Sequence, residues 1–200
     1  MKNIPLSLII FRLIAGIFFL FIPSLGLSFY KELMIILLVT GLLSDVFDGI
    51  IARKLGVSTE KLRRLDSSID QVFWICISIS LFILHPDFFK EHALKFFLLA
   101  DFEVLIYIIS YLKFRREVST HAILSKIWTL TLLALFVELI GRGNSGWLFD
   151  LCFYLGMISR AEIAAILFSI REWTTDVPSF YHALQLRKGK TIKRNKYFNG

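Results

Sequence analysis

An all-α, polytopic integral membrane protein is the fold class that this chain predicts, and three observations predict it. Of its 200 residues, 56% are hydrophobic, and mean hydropathy is +0.67. The apolar residues fall in runs of about 20, the length a spanning helix needs, and these runs fill the chain without leaving a separate soluble domain. Basic residues collect beside alternate ends of the runs, as the positive-inside rule describes.

Six spans are expected. The first, Ile10–Leu27, follows an interfacial segment, Met1–Phe11, because Pro5 and Arg12 make a poor deep start to a span. This run superficially resembles a signal peptide but has no small-x-small cleavage site near Pro23–Ser28, so it is read as retained. The second, Glu32–Ala52, carries Gly41, Ser44, Gly49 and Ala52 on or beside the face that holds Asp45 and Asp48. The third, Leu65–Leu84, opens on Asp66 and Asp70 just after Lys61, Arg63 and Arg64. The fourth, Leu94–Lys113, contains Asp101 and Glu103, and the fifth, Ile123–Ile140, contains Glu138. The sixth, Trp147–Ile170, contains Arg160 and Glu162, for which a structural Arg160–carboxylate pair is the plain reading. Residues 171–200 read as a basic cytoplasmic tail, and residues 1–200 as one membrane-embedded domain.

Six spans place both termini on one side. Of 23 Lys and Arg, only Lys31, Lys90, Lys95 and Arg142 fall on the opposite side, and Arg160 falls inside a span. The rest, from Lys2 and Arg12 to Lys193, Arg194 and Lys196, set an N-in, C-in orientation. The net charge of +7 is accounted for by anionic lipid headgroups rather than by nucleic acid. Cys76 and Cys152 stand alone in apolar surroundings and read as small core hydrophobes. His85, His92, His121 and His182 never cluster at ligand spacing.

Carboxylates in apolar segments are costly and usually functional. Asp45 and Asp48 are three residues apart, and Asp66 and Asp70 four, so each pair shares a helix face. Asp48 lies about 8 Å along the axis from Arg53, near the membrane surface. The short connection makes the two helices antiparallel neighbours with both pairs at one depth. Four oxygen ligands without His or Cys favour Mg²⁺, Mn²⁺ or Ca²⁺ over zinc.

Asp45-x-x-Asp48-Gly49-x-x-Ala52-Arg53, followed by Asp66-x-x-x-Asp70, resembles the signature of the CDP-alcohol phosphotransferases (CDP-alcohol phosphatidyltransferases). That signature reads D-x-x-D-G-x-x-A-R, then G-x-x-x-D-x-x-x-D, and every fixed position but one matches. Leu62 stands where the second glycine is expected, and Gly56 lies too far from Asp66 to replace it. The expected consequence is crowding of the nucleotide or looser packing of the loop.

The resemblance implies cleavage of a CDP-linked pyrophosphate, transfer of the phosphoalcohol unit to a hydroxyl and release of CMP. It implies Mg²⁺ or Mn²⁺, in one or two ions, on Asp45, Asp48, Asp66 and Asp70, with Asp70 also the general base. Arg53 is expected on the donor phosphate, with Asp45, Gly49, Ala52 and Asp66 also on the donor and its nucleotide. It also implies a homodimer in the cell inner membrane or its equivalent, with the site facing the cytoplasm. CDP-diacylglycerol with a small polar alcohol is the expected substrate pair. A soluble CDP-alcohol with diacylglycerol, a carboxylate-lined cation transporter and a catalytically dead relative are the alternatives.

Lys113, Arg115, Arg116 and Lys126 cluster at one loop and are the candidates for an anionic acceptor, with ordinary positive-inside charge as the plainer account. Ser125-Lys126-x-x-Thr129 faintly resembles a segment of glycerophosphate-using members. Those members carry Pro after the third aspartate and Lys after the fourth, where this chain has Ser67 and Gln71. Glycerol 3-phosphate is therefore not assigned.

Overall fold

The computed structural model describes residues 3–116, 118, 122–174 and 177–190, without the side chain of Glu60. Lys2, His121, Lys193, Arg194 and Lys196 lie outside the described residues. The described residues form α-helices and no strand: α1 (Ile4–Phe21), α2 (Tyr30–Lys54), α3 (Glu60–Leu84), α4 (Pro86–Glu91), α5 (Ala93–Phe114), α6 (Ile123–Arg142), α7 (Trp147–Ser169) and α8 (Phe180–Arg187). A 3-10 turn, Ile22–Leu25, follows α1.

Five segments are long and apolar enough to cross a membrane: Ile4–Leu25, Tyr30–Lys54, Lys61–Leu84, Ile123–Arg142 and Trp147–Ser169. The expected fourth span coincides with α5, which has 22 residues but carries Lys95, Asp101, Glu103 and Lys113 and is not among the five. Residues Ile4–Phe11, expected to lie along the interface, run without a break into α1. Pro5 is tolerated there because the amides of a first helical turn have no intrahelical acceptor.

The chain divides into two compact units. One comprises residues 1–88 and 136–144, the other residues 89–135 and 145–200.

In the first unit, α1 packs against both α2 and α3, which meet each other much less. The two acidic helices are neighbours, as expected, but α1 supplies most of the contact with each. Phe73 of α3 is fully buried and explains the close approach. A methyl group at Gly41 would collide with its ring, and one at Gly16 would lie 3.1 Å from its Cα. Two glycines on two helices therefore make the slot for one phenylalanine. Ser80 adds a hydrogen bond from Oγ to the Phe19 carbonyl at 3.3 Å.

The loop between α2 and α3 is shorter than the sequence suggests, residues 55–59. Gly56 adopts φ +65°, while Val57 N donates to Ala52 O at 3.0 Å and Gly56 N to Arg53 O at 3.2 Å. These bonds form the Schellman stop of α2 and account for a glycine at position 56. Thr59 then caps α3, its Oγ1 accepting from Leu62 N at 3.2 Å. Leu62, the departure from the expected glycine, sits in an ordinary helical turn.

In the second unit, α5 packs on α7 and α7 on α8. Arg160 pairs with Glu103, Nε to Oε2 at 2.9 Å, and its guanidinium covers the Trp128 ring at 4.1 Å. The plain reading of Arg160 as half of a structural ion pair fits this contact. Asp150 pairs with Lys95. Within the expected basic tail, Val177 and Ala183 are buried with Ile166 and Ile170. Phe180 N, at the start of α8, donates to Glu162 Oε1 at 3.2 Å. The segment 177–190 is thus docked structure, which corrects the reading of a plain tail from residue 171. Both cysteines are free and buried, as expected.

Candidate active site

The four aspartates converge, and the group that brings them together is Arg12. Its side chain is fully buried, and Nη1 lies 2.7 Å from Asp45 Oδ1, 3.1 Å from Asp66 Oδ1 and 3.6 Å from Asp70 Oδ1. Nη2 donates to Asp48 Oδ2. One planar guanidinium thus faces carboxylates from both neighbouring helices, a geometry that its fixed fork of donors suits and an ammonium would not. The arrangement follows from the chain path. The middle of α1, the C-terminal half of α2 and the N-terminal half of α3 lie together, so Arg12 meets two i,i+3 or i,i+4 acidic faces.

The carboxylates are not equivalent. Asp48 is 3% exposed, whereas Asp45, Asp66 and Asp70 are 35%, 29% and 36% exposed. Asp48 is therefore the buried anchor of the cluster, and the other three open outward. Trp74, one turn after Asp70, hydrogen-bonds to its side chain. Its ring packs edge-on to Phe73 at 5.7 Å and tilted against Phe136 at 5.9 Å. Ser44 is buried and returns its hydroxyl to the Gly41 carbonyl at 2.7 Å.

Oxygen atoms of Asp45, Asp48 and Asp66 lie within 4.8 Å of one another. The donors are hard oxygens, and one guanidinium leaves the four carboxylates in negative excess. This chemistry fits a hard divalent cation such as magnesium or manganese. Arg53 folds back one turn along α2, with Nη1 at 3.4 Å from where a Gly49 methyl would stand. Ala52 is buried on the same helix. The expected metal and donor residues thus all lie in the first unit.

The expected acceptor residues belong to the second unit. Lys113 Nζ donates to the carbonyls of Leu167, Phe168 and Ile170 at 2.7, 3.1 and 2.8 Å. Its three donors cap the end of α7 rather than present charge to a ligand. Arg115 lies 5.7 Å from the Tyr111 ring and Arg116 4.7 Å from the Trp173 ring. Lys126 occupies the first turn of α6.

Arg12 and Trp74 are the site residues that sequence reasoning missed. Arg12 was available as a signal: an arginine between Phe11 and Leu13 in an apolar run needs a buried partner. For Trp74 the four-residue spacing from Asp70 was the only trace.

The family described as CDP-alcohol phosphatidyltransferase matches residues 2–177. That span holds α1 to α7, with Arg12 and all four aspartates. No curated protein and no solved structure is matched by the chain.

Proposed function

The chain belongs to the CDP-alcohol phosphatidyltransferase family, and on that premise we propose that it transfers a phosphatidyl group from CDP-diacylglycerol to a small polar alcohol, releasing CMP. The observation that carries the reading is the convergence of Asp45, Asp48, Asp66 and Asp70 on Arg12. A pyrophosphate must lose part of its negative charge before an alcohol oxygen attacks phosphorus. Asp45, Asp48, Asp66 and Asp70 would hold Mg²⁺ or Mn²⁺, in one or two ions, and when bound the metal supplies Lewis-acid neutralisation of the phosphates.

The chain's own groups divide the remaining work. Arg12 holds the buried Asp48 in place and fixes the spacing of all four carboxylates. Asp70, steadied by Trp74, takes the proton from the acceptor hydroxyl. The new bond forms between the alcohol oxygen and the phosphatidyl phosphorus. The bond from that phosphorus to the bridging oxygen breaks, and CMP leaves with that oxygen. Arg53 binds donor phosphate, and the bare backbone at Gly49 lets the donor approach α2.

The topology proposed is six spans, with α5 as the fourth, both termini in the cytoplasm and the site on the cytoplasmic side. A homodimer accompanies this reading by resemblance to the family. Lys113 is spent on α7, so it is assigned to the fold and not to the acceptor. Incubation with CDP-diacylglycerol, Mg²⁺ or Mn²⁺ and a panel of alcohols tests the proposal through CMP release. A panel of soluble CDP-alcohols with diacylglycerol separates the reverse substrate assignment.

A further inference from the structure

The C-terminal end of α5 carries a groove of about 380 Å³ lined by Tyr107, Ile108, Tyr111, Leu112 and Arg116. Tyr107 with Tyr111, and Ile108 with Leu112, are four residues apart and form two columns on one helix face. The surface is open, with Leu112 70% and Tyr111 58% exposed. At its end the lining changes abruptly from apolar to cationic.

The change is built by the backbone. Arg115 ends α5 with φ +54°, a left-handed conformation uncommon for a residue other than glycine. Its amide donates to Tyr111 O at 2.9 Å, and Ser110 Oγ donates to Arg116 O at 2.9 Å. The turn brings Arg116 into the lining of the groove, with Arg115 directly before it in the chain. The Arg115 guanidinium lies over Tyr111, itself a lining residue, and that of Arg116 lies over Trp173.

We propose that this groove holds one anionic glycerophospholipid, with an acyl chain along the α5 columns and the headgroup phosphate on Arg115 and Arg116. Charge complementarity selects the occupant. Guanidinium forks match phosphate oxygens in bidentate geometry, and tyrosines suit the headgroup level of a bilayer. An apolar face ending in paired arginines matches a lipid with a negative head better than a zwitterionic one. The inference rests on reading α5 as the fourth span and requires neither CDP-donor nor metal.

Native mass spectrometry of the full chain, released from detergent with phosphatidylglycerol or phosphatidylcholine of identical acyl chains, tests it. Wild-type protein is expected to retain phosphatidylglycerol in preference to phosphatidylcholine. Replacing Arg115→Gln and Arg116→Gln is expected to lower that retention by about fivefold for each guanidinium removed. The Arg115→Lys/Arg116→Lys variant, which keeps the charge, guards against a folding artefact and is expected to retain most of the lipid. Ile108→Trp, which fills the groove and leaves both arginines, is expected to lose it. Equal retention of the two lipids by wild type, no retention, or unchanged retention in either the glutamine or the tryptophan variant would overturn the proposal. CMP release assayed on the same preparations separates the two readings. Lipid preference without CMP release counts against the catalytic reading alone, and CMP release without lipid preference counts against the groove alone.

Discussion

Arg12 of α1 and Asp48 of α2 form a buried ion pair at the centre of the acidic cluster, with both side chains almost wholly excluded from solvent. The same guanidinium holds Asp45 at 2.7 Å and reaches Asp66 on α3 at 3.1 Å. Three helices are thus tied at one point by a single side chain. A buried charge deprived of its partner is strongly destabilising.

Arg12→Met is therefore expected to cost about 3–5 kcal/mol and to abolish CMP release. Arg12→Lys is expected to recover part of the stability and little of the activity, because one ammonium cannot address both helices in a fixed plane. Thermal unfolding in detergent, run beside the CMP assay, checks both. Wild-type stability in Arg12→Met would contradict the assigned role.

Gly41 and Gly49 lie on one helix and are expected to respond differently to alanine. At Gly41 the methyl meets the buried Phe73 ring, and overpacking of that kind costs about 1–3 kcal/mol. At Gly49 the nearest atom is Arg53 Nη1 at 3.4 Å, an ordinary contact. Gly49→Ala should keep its melting temperature and raise KM for the CDP-donor, whereas Gly41→Ala should lower the melting temperature. A melting-temperature loss in Gly49→Ala equal to that of Gly41→Ala would contradict the distinction.

Much of this site is legible in the chain alone, and the reasons are physical. The helix repeat places Asp45 with Asp48 and Asp66 with Asp70, and a short loop brings the pairs together whatever surrounds them. Arg12 is not legible in that way. An arginine within an apolar run signals that a buried partner is needed, but only the packing of α1 shows which residues supply it. That packing depends on Gly16, Gly41 and Phe73 fitting together, residues distant in sequence. Segment 177–190 is hidden for a similar reason. Only contact with Ile166 and Ile170 turns Val177 and Ala183 into buried core.

Divalent metal is expected to stabilise the protein measurably. At a hundred times its dissociation constant, Mn²⁺ or Mg²⁺ bound only to the folded state adds about 2.7 kcal/mol. The gain should disappear in Asp45→Asn/Asp66→Asn and persist in Lys113→Met. A thermal shift of equal size in the double variant would place the metal elsewhere.

Lys113→Met itself is expected to lower stability by about 0.3–1 kcal/mol, the scale of a cation at a helix C-terminus. KM for the acceptor alcohol should not change. A selective rise in that KM with unchanged melting temperature would return Lys113 to the acceptor site.

Burial, and then the charge of Lys31, hold His85 below the usual imidazole value. The unfolded chain therefore takes up this proton more readily. Its contribution to stability declines as pH falls below about 6.5, the ordinary value. His85→Asn should flatten that part of the difference between melting temperatures at neutral and acid pH. An identical pH slope in the variant would contradict it.

CMP release from CDP-diacylglycerol, with Mg²⁺ or Mn²⁺ and an alcohol acceptor, compared between wild type and Asp70→Asn, tests the central claim most directly. The account predicts metal-dependent release by the wild type with at least one alcohol, and a fall of about 10²–10⁴-fold in Asp70→Asn. Turnover that survives replacement of all four aspartates by asparagine would contradict it.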